Sequence, residues 1–176
     1  TMLSFAPVGW FPVAPVLLLP LLYACLYLPA KRAARLGFWY GAGLFLTGTY
    51  WLYTSIHVFG QAPLWVAIII MISLVMIMGL YYALTAWLIS RLSAGSALRF
   101  FAAAPTVWVA VEWVRGWFLT GFPWLNIGYS QIDAPLAGLA PILGVYGVSL
   151  AVVLTSALLV AAFFNQNGLI RAGYLV

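Results

Sequence analysis

Leu64–Ile89, LWVAIIIMISLVMIMGLYYALTAWLI, decides the fold class. The run carries no charged side chain, and it exceeds the roughly 20 residues that a helix needs to cross a hydrocarbon core of about 30 Å. The rest of the chain has the same character. Hydrophobic residues make up 66% of its 176 positions and charged ones 5%, against about 45–50% and about 25% in soluble domains. Alternating segments of about ten residues, the mark of a membrane β-barrel, are absent from the sequence. The expected fold is all-α: a polytopic transmembrane helical bundle over residues 1–176 with about five spans, at Phe11–Leu28, Leu36–Ile56, Leu64–Ile89, Ala97–Phe118 and Leu136–Phe164. Pro12, Pro15 and Pro20 punctuate the first of these, which a membrane helix tolerates only where the freed carbonyls find other partners.

Positive charges set the orientation, because Lys and Arg concentrate in short cytoplasmic loops. Lys31, Arg32 and Arg35 lie between the first and second spans, Arg91 and Arg99 between the third and fourth, and Arg171 after the fifth. The intervening loops, residues 57–63 and 120–135, contain neither Lys nor Arg. Every loop fits one topology, with the first residues and loops 57–63 and 120–135 on the outer side of the membrane. The net charge of +5 reflects a scarcity of acids rather than a basic nucleic-acid surface, so no nucleic-acid partner is expected. Thr1 is not an initiator Met, and Leu169–Val176 reads as the opening of another span, so the chain is expected to be part of a longer protein.

Small residues recur at helix-packing intervals, Gly37 with Gly41, Gly43 with Thr47 and Ala140 with Gly144, where close backbone approach supplies the dispersion contact that holds helices together in lipid. Aromatic residues gather towards the outer ends, as an interfacial belt requires. Among them Gly121 and Pro123 break the helix.

Both acids of the chain fall in one stretch, VEWVRGWFLTGFPWLNIGYSQIDAP (Val111–Pro135). Ionisable groups are costly in a bilayer and mark function by default. Glu112 and Arg115, three residues apart, share a helical face within pairing reach. They are expected either to lock the fourth span to a neighbour or to present the Arg115 fork, oriented by Glu112, to a lipid phosphate. Asp133, before Pro135, is expected to cap the fifth span. Gly121, Phe122, Pro123, Trp124 and Tyr129 form a broken aromatic loop suited to admitting acyl chains sideways while polar ring edges meet headgroups. His57, at the outer end of the second span, is either an interfacial anchor or a further contact for phosphate or carboxylate. Cys25 lies near the opposite end and cannot pair with it; it reads as an inert packing residue. No Ser/His/Asp set, carboxylate pair, phosphate-cradling Gly loop or metal-ligand spacing can be assembled, so no catalytic residue, cofactor or metal is expected in this chain.

Gly37–His57 (GFWYGAGLFLTGTYWLYTSIH) and Val111–Ser149, within it GWFLTGFPWLNIGYSQ, resemble the membrane region of bacterial apolipoprotein N-acyltransferases. The resemblance runs from about Phe5 to Leu150. It implies an eight-helix bundle that carries an outward-facing nitrilase-like domain, expected here after residue 176. In that family a Cys of the nitrilase-like domain, working with a Glu and a Lys, takes an acyl chain from a phospholipid such as phosphatidylethanolamine. The chain then passes to the α-amino group of a diacylglyceryl apolipoprotein. Gly121 and Trp124 match loop positions that the family needs for activity, and Cys25 does not match its nucleophile. The bundle's share of the work would be to bind and position the phospholipid acyl donor and the apolipoprotein within the membrane. A non-catalytic membrane subunit or a small transporter are the alternatives; the transporter would call for polar groups at mid-membrane.

Overall fold

The computed structural model of the chain describes residues 2–5, 8–94, 96–118 and 121–164. Its helices are α1 (Val13–Tyr27), α2 (Ala30–Gly48), a single turn α3 (Trp51–Tyr53) running into a π-helical turn (Thr54–Phe59), α4 (Leu64–Leu92), α5 (Ala97–Arg115) and α6 (Ala140–Phe164). Short 3-10 turns cover Met2–Ser4, Ile127–Gln131 and Pro135–Leu139. No strand occurs among the described residues. Arg171 and Leu169–Val176, used above for topology and length, lie outside them.

Three stretches are long and apolar enough to cross a membrane: Leu64–Leu92, Ala97–Arg115 and Pro135–Phe163. Five full spans are not confirmed. At 15 residues α1 reaches only about 22 Å at 1.5 Å per residue. The second expected span, Leu36–Ile56, is not one helix. α2 begins earlier, at Ala30, so Lys31, Arg32 and Arg35 lie in its first turns rather than in a loop, with long stems that can carry their charges outward. It stops at Gly48, where the Thr49 hydroxyl turns back to donate to the Phe45 carbonyl at 2.6 Å. The chain then restarts as α3 and the π turn, neither of which buries a residue.

The α2–α4 interface shows what the small residues are for. A Cβ on Gly37 would stand 2.5 Å from the Tyr82 carbonyl oxygen and 2.8 Å from the Ala86 Cβ, so only a bare backbone lets the two helices approach this closely. Gly41 lies as close to the Tyr82 ring. The other two pairs do something else. Gly43 faces open space, and Thr47 donates to its carbonyl at 2.8 Å. Gly144 is a kink in α6, with φ 64° and ψ −173°, a conformation that glycine adopts without a Cβ penalty. Leu18 and Leu22 of α1, Phe45 of α2, Phe100 of α5 and Val152, Val153 and Val160 of α6 complete the dry interior.

This interface separates two glycines that look alike in sequence. Gly37→Ala should destabilise the protein by about 1–3 kcal/mol through overpacking. Gly43→Ala should be neutral or stabilising by up to about 1 kcal/mol, because a helix interior favours Ala. Thermal unfolding of both variants in one detergent checks this; equal midpoints would refute the close α2–α4 contact.

Candidate functional site: a loop clamped to the end of α5

Trp108, Glu112 and Arg115 follow one another at helical spacings of four and three, so they share the inward face of the last turns of α5. Both ionisable groups are interior: Glu112 is 4% exposed and Arg115 2%. The helix ends directly afterwards, where the Gly116 amide is shared between the carbonyls of Glu112 and Trp113. The returning chain docks by the Phe122 amide, which donates to the Arg115 carbonyl at 2.8 Å. Gly121 makes that return possible. Its φ is +77°, and a Cβ there would lie 2.1 Å from the Gly116 carbonyl oxygen.

The two charged side chains then hold the loop from within. Arg115 donates through Nη1 to the carbonyls of Trp124 at 2.7 Å and Phe122 at 3.3 Å, and through Nη2 to Oδ1 of Asn126 at 2.5 Å. Its guanidinium also lies 5.2 Å from the centroid of the Phe45 ring of α2, a cation–π contact that gains strength where water is excluded. Glu112 accepts through Oε1 from the indole N–H of Trp108 at 3.0 Å and from the Ile127 amide at 2.8 Å. Neither carboxylate oxygen accepts from Arg115. The pair shares a face, as its spacing requires, but each member finds its partners on the loop.

Further bonds fasten the loop elsewhere. The Gly128 amide donates to the Ser149 hydroxyl of α6 at 3.0 Å, and the Gln131 side-chain amide donates to the Phe11 carbonyl at 3.1 Å. Asn126, Gln131 and Ser149 were missed in the sequence reading. The signal was present, since a polar side chain within a lipid-embedded region has to be paired. Two buried atoms, Glu112 Oε2 and Asn126 Nδ2, have no hydrogen-bond partner. A cavity of about 10 Å³ reaches Glu112 and Arg115 between Tyr81, Tyr82, Thr85 and Trp108, room for about one water molecule.

The clamp turns the aromatic residues outward. Trp124 is 53% exposed and Tyr129 44%, and Pro123 is exposed beside them. Phe122 is half-buried against Phe45, with ring centroids 6.0 Å apart. Trp124 also touches Trp51 of α3 at 5.4 Å between centroids, which joins the two uncharged loop regions at one end of the bundle. His57 is near that end but outside the clamp: its Nδ1 lies 2.8 Å from the Ala62 carbonyl oxygen and its ring packs against Tyr53. Asp133 does not cap a helix; the cap position before Pro135 is Ala134, with no side-chain bond, and the Asp133 side chain is exposed. Cys25 is buried in α1.

Apolar grooves open on either side of α5. One, of about 350 Å³, is lined by Ile77, Leu80, Tyr81, Leu84, Val114 and Phe118. The other, of about 370 Å³, is lined by Thr106, Val109, Ala110, Trp113, Tyr146 and Leu150. Both reach the last turns of α5 from which the clamped loop departs.

An all-α membrane bundle with an aromatic loop fastened over one end of α5 is the class of protein that these features define. Residues 1–158 match the profile of the apolipoprotein N-acyltransferase N-terminal domain, and the chain belongs to that family. It is 44% identical over 166 residues to an apolipoprotein N-acyltransferase of Photobacterium profundum, covering 94% of this chain and 32% of the relative. It is 41% identical over 180 residues to that of Vibrio cholerae, covering 100% and 35%. For that of Azotobacter vinelandii the identity is 46% over 161 residues, covering 90% and 31%. The chain thus spans about a third of the length of these curated relatives.

The clamp has a direct consequence. In the complete protein, Arg115→Gln should cost about 3–5 kcal/mol, because it removes the charge-assisted bonds to Phe122, Trp124 and Asn126 and leaves their oxygens short of a donor. Asn126→Ala should cost less, about 1–3 kcal/mol. Hydrogen exchange at the Phe122 and Ile127 amides should accelerate in Arg115→Gln. Unchanged exchange there would show that the loop holds its place without the guanidinium.

Proposed function

We propose that this chain is the membrane portion of an enzyme that moves an acyl chain from a phospholipid, through a Cys thioester, to the terminal amino group of a diacylglyceryl apolipoprotein. The thioester would form on a nitrilase-like domain beyond residue 176, and no residue of this chain carries covalent chemistry. The work of residues 1–176 is to bind and position lipid at the periplasmic face of the bacterial cytoplasmic membrane.

The observation that carries this reading is the pairing of a rigid loop with open grooves. Arg115 and Glu112 fix the loop backbone at several points, Trp124 and Tyr129 remain exposed, and apolar grooves large enough to take part of an acyl chain open along α5, the helix from which the loop departs. Tails lying in the grooves beside α5 would place ester or amine groups at the level of Trp124, whose ring is apolar and whose N–H suits a headgroup. Holding reactants in register in this way converts an encounter between two lipids into a positioned reaction. Arg115 and Glu112 serve here as positioning residues, acting through the loop backbone, and His57 contributes by ordering the neighbouring turn.

Trp124→Ala tests the assignment. In the complete enzyme it should lower acyl transfer by about tenfold or more through loss of positioning. Stability should fall by no more than about 1.5 kcal/mol, the worth of its contact with Trp51. Trp124→Phe should recover part of the rate. Wild-type transfer by Trp124→Ala would reduce the loop to an anchor in the interface.

A further inference from the structure

The end of the bundle opposite the clamped loop carries a second, unassigned surface. Lys31, Arg32 and Arg35 occupy the first turns of α2, Arg91 the last turn of α4, and Arg99 the first turn of α5, and all five are exposed. The fold brings these separate segments to one place. α2 and α4 run antiparallel through the close contact of Gly37 with Tyr82 and Ala86, and the Ser90 hydroxyl donates to the Leu28 carbonyl at 3.1 Å, which sets Arg91 beside the start of α2. A short turn, closed by the Ser96 amide bonding to the Ser93 carbonyl at 3.1 Å, brings Arg99 to the same end.

Neither acidic side chain of the sequence lies at this end of the bundle. The sequence has two acids: Glu112 is buried at the far end of α5, and Asp133 follows it in the loop region at that same end. The cations also stand on an interfacial platform. The Arg91 guanidinium lies 5.6 Å from the centroid of the Trp87 ring, and that indole is 39% exposed. An exposed Trp is at home at headgroup depth, so the stacked guanidinium is held with its fork at the level of lipid phosphates. Charge complementarity therefore selects the occupant.

We propose that this end of the bundle binds the headgroups of anionic phospholipids in the leaflet it faces, at a site separate from the one where acyl transfer is proposed. Lys31, Arg32 and Arg35 supply a cationic arc, Arg91 a phosphate fork set on Trp87, and Arg99 the flank. The inference does not depend on the acyl-transfer reading, and its test does not use activity.

The complete protein in phosphatidylcholine–detergent micelles, titrated with phosphatidylglycerol, should show a saturable rise in melting midpoint that weakens as salt is added, since salt screens exposed charges. Arg91→Gln should weaken the apparent affinity roughly fivefold, and combined Lys31→Gln, Arg32→Gln and Arg35→Gln roughly a hundredfold, each cation near an anionic surface contributing a similar factor. Should the triple variant fail to insert, the single Arg91→Gln variant decides alone. Affinities equal to wild type, an equal rise with added phosphatidylcholine, or loss of the rise to inorganic phosphate but not to sodium chloride of the same ionic strength would each overturn the proposal, the last by revealing a soluble-anion site.

Discussion

In a membrane every buried backbone N–H and C=O must find a partner within the protein, and an irregular loop at the rim of a bundle is where that demand is hardest to meet. The Arg115 guanidinium meets it here. It takes the carbonyls of Phe122 and Trp124 and the Asn126 side chain, while Glu112 takes the Ile127 amide. Charge-assisted bonds of this kind are about twice as strong as neutral ones, and a planar fork fixes direction as well as distance. The loop is thereby part of the rigid body of α5 although it contains almost no regular structure.

That rigidity is useful because of what it leaves exposed. A free aromatic loop would bury Trp124 in the nearest apolar surface. The clamped one presents it, tilted against Trp51, at the end of the bundle where the loop leaves α5 and its flanking apolar grooves. The stability of the buried charges and the proposed handling of lipid are thus linked through the same few hydrogen bonds. The α2–α4 contact supports the arrangement from the other side, because it brings Phe45 beneath both Arg115 and Phe122.

The bundle is also polarised along its length. Both acids lie towards the loop end, and five exposed cations gather at the other. Such asymmetry orients a chain during insertion, and once the chain is folded it leaves a cationic surface that the surrounding lipid is well placed to neutralise.

The sequence by itself determined the helical membrane class, the segregation of charge and the family, because composition, uninterrupted apolar runs and the GWFLTGFPWLNIGYSQ stretch are properties of neighbouring residues. It marked Glu112, Arg115, Gly121 and Trp124 as the place to look, since ionisable groups and helix breakers stand out against an apolar background. Tertiary structure alone decided what they do. Spacing put Glu112 and Arg115 on one face and suggested that they pair with each other; only the return of the chain at Gly121 showed that Trp124, Asn126 and Ile127 take their bonds instead. The break after Gly48, the kink at Gly144 and the uncapped start at Ala134 were hidden for the same reason. Hydropathy reports the cost of moving each residue into lipid, whereas a helix end or a buried partner is settled by contacts between segments far apart in the chain.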